Sequence, residues 1–165
     1  MMKVLGVDPG YERLGLAVLE KKGGREAVLY SSCFKTGSDL EFSERLLLIS
    51  KEVKELIKNF QPDVLAVETL YLGTNQKTAM RVSEVRGVVI NEGKSGGLRI
   101  FEASPPAIKL AVTGSGRADK AQIKKMLKML VKIDEAIISD DELDSIAIAL
   151  TAFSYIRSER VIHIK

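Results

Sequence analysis

KVLGVD at residues 3–8 is a short apolar run with β-branched members that breaks at Pro9-Gly10. That pattern predicts a strand closed by a turn. LGLAVLE at residues 14–20 alternates and stops at KKGGRE, and REAVLYSSCFKTG at residues 25–37 supplies a third strand. The chain is thus expected to begin as a three-stranded antiparallel meander. From Glu41 to Phe60 the apolar residues Phe42, Leu46, Ile49, Val53, Leu56 and Phe60 step by four and three, which marks one buried helix face. Pro62 ends that helix, and DVLAVE follows as a nearly continuous apolar strand of the kind covered on both faces.

TNQKTAMRVSEVRGVVINEG at residues 74–93 predicts a second helix capped by Thr74 or Asn75, and GLRIFEA at 97–103 a fifth strand. Ser104-Pro105 offers an N-cap and a first-turn proline for a short helix reaching about Val112. After the loop TGSGRAD, Asp119 can cap AQIKKMLKMLVK, and SDDELDSIAIALTAFSYI at 139–156 gives a last helix starting at Ser139 or Asp140. No internal repeat, long linker or low-complexity tract divides the chain, so residues 1–165 are expected to form a single α/β domain.

Composition narrows the picture. At 165 residues the chain can bury a core without disulfides or metals. No apolar run approaches the ~18 residues of a membrane span, and MMKVLGVDPG lacks the apolar stretch and cleavage site of a signal peptide. A cytoplasmic setting is the expectation, with no membrane partner. The single Cys33 has no histidine near it in sequence and is expected as a small buried hydrophobe. Net charge is only +3, but its distribution is uneven. Lys109, Arg117, Lys120, Lys124, Lys125, Lys128 and Lys132 stand against the single acid Asp119, and residues 134–144 then hold six acids and no base. Such a sequence fits two solvated helix faces, and equally a polyanion-binding surface beside a metal site.

The first and fourth strands both end on a carboxylate, Asp8 after VLGV and Glu68 after VLAV. As parallel neighbours they would place both acids at one sheet edge, where ligands of open sheets gather. Asp141 and Asp144, three apart, would share a face of the last helix. Singly, each acid has a structural explanation as a turn residue, a strand end or favourable charge at a helix start. Together, four hard oxygen donors suit Mg²⁺ or Mn²⁺, and two ions about 3.5–4 Å apart could serve phosphodiester hydrolysis.

GVDPG, PDVLAVET with Tyr71 three residues past the acid, SEVRG, SPPAIKLAVTGSGRADKAQI and DDELDSIAIAL, in that order, resemble the bacterial Holliday-junction resolvases of the RuvC family. The resemblance implies a ribonuclease-H-like fold, a five-stranded mixed β-sheet flanked by α-helices. It implies a homodimer that nicks two opposed strands of four-way junction DNA during recombination and repair, alongside a branch-migration helicase complex. On the matching positions it implies metal-binding catalytic acids at Asp8, Glu68, Asp141 and Asp144, holding two Mg²⁺ ions for which Mn²⁺ substitutes. It also implies base stacking by Tyr71 and basic groups near the scissile strand at Lys109 and Lys120. Lys124, Lys125 and Lys128 are expected to extend that basic surface as DNA contacts through phosphates. The helix bearing Met80, Val85, Val88 and Val89 matches the dimerising element, although the same residues could form internal core.

Three other readings stay open at this point. GVDPG also resembles the first phosphate loop of sugar kinases and actin-like ATPases, whose nucleotide clamp needs two such domains. A small RuvC-like nuclease of ribosomal RNA maturation would open on a similar strand. A catalytically inactive DNA-binding module is the third, though clustered unused carboxylates would only repel DNA.

Overall fold

The computed structural model describes residues 1–70, 76–131 and 139–162. Strands β1 (Met2–Asp8), β2 (Arg13–Lys22) and β3 (Arg25–Lys35) form the antiparallel meander read from the sequence. Helix α1 (Phe42–Phe60) then leads to β4 (Val64–Glu68), α2 (Gln76–Ser95) to β5 (Arg99–Ala103), and α3 (Pro105–Thr113), α4 (Lys120–Leu130) and α5 (Asp140–Ile162) complete the chain. The strands lie in the order β3-β2-β1-β4-β5, with β1, β4 and β5 parallel to one another and β2 and β3 running against them. No helix among the described residues is long and apolar enough to cross a membrane.

Helix boundaries follow local chemistry. Glu41 and Glu44 form a reciprocal capping box at the start of α1, and left-handed Gln61 closes its end before Pro62. Ser104 accepts from the Ala107 amide with Pro105 at the first position of α3, and Asp119 pairs reciprocally with Gln122 to open α4. At α5 the Ser139 hydroxyl accepts from the Glu142 amide, while the Glu142 carboxylate takes the Ser139 amide. The expected caps Thr74 and Asn75 lie outside the described residues.

Alternation divides the sheet into two faces. Val4, Ala17, Leu19, Val64 and Ala66 join Ile146, Ala149, Phe153 and the buried sides of α3 and α4 in one cluster. Leu5, Val7, Leu16, Val18 and Leu65 join Ile49, Val53, Val85 and Val89 of α1 and α2 in the other. Both faces of β1 and β4 are covered, which explains why their sequences read as continuous apolar runs.

Helix α5 lies unusually close to the first face, because β1 and β2 present glycines there. A Cβ on Gly6 would stand 2.2 Å from the Ser145 carbonyl oxygen, and one on Gly15 2.2 Å from the Asp141 carbonyl oxygen. Only glycine lets the backbones approach in this way. Gly15 pairs with Asp8 across the β1–β2 ladder, so the start of α5 rests directly beside the end of β1.

Candidate active site

In the parallel ladder Val4, Leu5, Gly6 and Val7 stand opposite Val64, Leu65, Ala66 and Val67. Asp8 and Glu68 each follow one step later, so register alone sets them abreast at the strand ends. Alternation turns both toward the face that α5 covers, because they share parity with Val4, Gly6, Val64 and Ala66. Asp141 and Asp144 come from the first turns of α5 on the same side. Glu68 and Asp144 line a cavity of about 300 Å³ together with Lys109, Lys120, Ile108 and Ala147.

The carboxylates register one another electrostatically. Burial first, then the charges of Asp144, Glu68 and Asp141, push the Asp8 carboxyl from 3.8 up to about 7, against a smaller downward pull from Lys120. Burial and then Asp144 raise Glu68, with Lys120 opposing. Asp144 is also raised, chiefly by burial, and Lys120 offsets part of the effect from 3.8 Å away. Asp8, Glu68 and Asp144 thus form one half-buried cluster of negative charge, with Lys120 beside Asp144.

Asp141 behaves differently. Burial pushes its carboxyl up, but hydrogen bonds from Arg13 and Cys33 and the Arg13 charge outweigh that and hold it below the usual carboxylate range. The Arg13 Nε and Nη2 groups donate to Asp141 Oδ2 at 2.9 and 2.5 Å, and the Cys33 thiol reaches the same oxygen at 3.4 Å. The Asp141 charge in turn raises Asp8 and Asp144.

The donor set fits a hard divalent cation: four carboxylates, three of them pushed toward protonation by burial and mutual repulsion that a cation would relieve. As the side chains stand, no three acidic, histidine or cysteine groups among the described residues are spaced to clasp an ion.

The basic residues divide by position. Lys109 and Lys120 line the acid-bearing cavity, and Lys124 lines a neighbouring one of about 120 Å³ with Lys120, Asp140 and Asp144. Lys125 and Lys128 are exposed on α4, where Lys120, Lys124 and Lys128 follow one another at four-residue spacing. Tyr71 lies outside the described residues. On α2, Val85 and Val89 are buried core, Val88 packs against that core from a partly exposed position, and Met80 is 66% exposed. Cys33, expected in the core, is instead partly exposed, because its strand lies at the sheet edge opposite Gly15.

Two positioning arginines escaped the sequence reading. Arg86 Nε donates to the Glu68 carbonyl oxygen at 3.0 Å while its Nη2 pairs with Glu102, tying α2 to the end of β4. Its signal was an arginine next to the core valine Val85 on α2, inside SEVRG. Arg13 had only its place near the acid-bearing turn to announce it.

The strand order and the helices on both faces are those of the ribonuclease-H-like nucleases. Within that class the chain belongs to the crossover junction endodeoxyribonuclease RuvC family, whose model matches residues 4–152. A RuvC crossover junction endodeoxyribonuclease of Petrotoga mobilis is 41% identical over 157 residues, spanning 95% of this chain and 96% of that protein. That of Thermosipho melanesiensis is 39% identical over 148 residues, 90% of this chain and 94% of its own length. The solved structure of Thermus thermophilus RuvC in complex with a Holliday junction substrate superposes with a TM-score of 0.91 at 30% identity, covering 96% of this chain and 97% of that one.

Proposed function

We propose that this chain, acting as one nuclease domain, resolves Holliday junctions by metal-dependent, paired and symmetric nicks in opposed DNA strands. The observation that carries the reading is the convergence of half-buried, mutually repelling carboxylates on one sheet edge, with Asp8 raised to about 7, in a chain of this family. The solved relative bound to a junction supports the substrate class. Asp8, Glu68, Asp141 and Asp144 would hold Mg²⁺, or Mn²⁺ in its place. Such ions supply Lewis acidity toward water and charge neutralisation at the leaving oxygen.

The rest of the work falls to the chain itself. Lys120 stands 3.8 Å from Asp144 and Lys109 borders the same cavity, so both can meet a phosphate that approaches the acids. Lys124, Lys125 and Lys128 continue the positive surface along α4 toward the DNA backbone. Tyr71 would stack on an unpaired base near the crossover.

Symmetric nicking calls for two sites related by a two-fold axis. Leu47, Glu84, Gly87 and Asn91 border a shallow groove of about 520 Å³ between α1 and α2, and Leu47 is 54% exposed. This face, and not the buried Val85 and Val89, is the part of α2 available to a second copy. A branch-migration helicase complex and a cytoplasmic setting complete the proposal. The test is cleavage of four-way junctions against linear duplex of the same sequences, with Mg²⁺ and with EDTA. Equal cleavage of both substrates, or cleavage in EDTA, would refute it.

A further inference from the structure

The four acids do not sit equally. In the order β3-β2-β1-β4-β5, Glu68 is on β4 and Asp8 on β1, whereas both groups that hold Asp141 lie to the other side, Arg13 on β2 and Cys33 on β3. Neighbouring strands are about 4.8 Å apart, so Asp141 Oδ2 is drawn toward the β2–β3 edge and away from the Glu68 side. Arg13 approaches with two nitrogens on that one oxygen. Arg13 shares strand parity with Gly15 and Ala17, so it stands on the face that α5 covers. Its side chain is 51% exposed and can swing out into solvent without disturbing the core.

We propose that Arg13 is a positioning residue that acts as an internal counter-cation: it holds the Asp141 carboxylate toward the β2–β3 side and competes for it with a divalent ion that binds the acid cluster. Arg13 thereby sets the ion concentration at which the fourth acid joins the site. The inference rests on the reading of Asp141 as a metal ligand. A guanidinium and a divalent cation compete for one carboxylate, so whatever the ion pair contributes is subtracted from the affinity of the ion. For a half-exposed pair this amounts to roughly a two- to fivefold change in affinity. The Cys33 thiol, a weak donor at 3.4 Å, adds little to that competition.

The test measures ion binding on full-length protein without DNA, by the electron paramagnetic resonance of free Mn²⁺ and by calorimetry with Mg²⁺. Arg13→Gln is expected to bind roughly two- to fivefold more tightly than wild type, and its melting temperature to rise further on adding Mg²⁺. Arg13→Lys keeps the charge but loses the two-nitrogen contact, and is expected to lie between. In an Asp141→Asn background the same Arg13→Gln change should leave affinity unaltered, which a merely structural arginine would not produce. Wild-type or weaker affinity in Arg13→Gln overturns the role of Arg13 and leaves the four-acid site standing. No Mn²⁺ binding by any of the proteins overturns both.

Discussion

Gly15→Ala tests whether the close seat of α5 on the sheet governs chemistry. The added Cβ would lie 2.2 Å from the Asp141 carbonyl oxygen, 2.9 Å from its carbon and 3.1 Å from Asp8 Cβ. A carbon–oxygen contact settles at about 3.3 Å, so the start of α5 must retreat by roughly 1 Å. The obstacle is backbone on both sides, in a strand and in the first turn of a helix, so no side-chain rotation relieves it. Overpacking of this kind costs about 1–3 kcal/mol in stability. A displacement of about 1 Å in catalytic geometry can cost on the order of 100-fold in rate. Single-turnover junction cleavage at saturating Mg²⁺, below the melting temperature of the variant, should therefore fall far more than junction binding. Gly116→Ala is the control, because its Cβ would meet only the Pro106 carbonyl oxygen at 3.6 Å. Cleavage by Gly15→Ala within twofold of wild type, with an unchanged melting temperature, would refute the reasoning.

Asp8→Asn, Glu68→Gln, Asp141→Asn and Asp144→Asn should each abolish cleavage while leaving junction binding intact or strengthened, as gel shift and cleavage assays on the same samples will report. Because folding raises the Asp8 carboxyl from 3.8 to about 7, the native state binds its proton more tightly than the unfolded chain does. Metal-free stability should therefore be greatest below about pH 4 as far as Asp8 is concerned, fall as pH rises toward 7 and level off above, and Asp8→Asn should remove that slope in thermal melts with EDTA. Lys124→Ala, Lys125→Ala and Lys128→Ala should weaken DNA binding broadly and flatten its salt dependence by up to about 0.9 per lost contact. Tyr71→Ala should leave the salt slope unchanged but reduce junction cleavage, through loss of stacking worth about 1–3 kcal/mol. Leu47→Asp on the α1–α2 groove should convert a sedimenting dimer to monomer, and a wild-type protein that is monomeric at micromolar concentration yet nicks both strands in concert would refute the dimer.

Strand and helix order were legible because each element carries its own signal. The apolar runs ending at Asp8 and Glu68, the four-and-three spacing of α1 and the Ser104-Pro105 start of α3 are local features, and the structure keeps them all. The convergence of the acids needed one further fact, the parallel pairing of β1 with β4, which periodicity alone left conditional. Contacts made across the chain were not legible. Arg13 reaches Asp141 over 128 positions, and Arg86 serves the Glu68 carbonyl through helix packing that no spacing rule encodes. The α2 valines show the same limit, since core and interface both select apolar residues and only burial separates Val85 and Val89 from Met80.

The pleat of β1 has a consequence for how an active molecule arises. A slip of one residue against β4 would turn Asp8 into the apolar layer beneath α1 and α2, and would push Leu5 or Val7 against α5 where only Gly6 leaves room. Both errors penalise the same slipped state, one through an acid in an apolar layer and the other through steric collision. Strand pairing in this molecule thus guards the acids' alignment against its nearest error: the one-residue slip that would separate Asp8 from Glu68 is also the slip that spoils both packed layers.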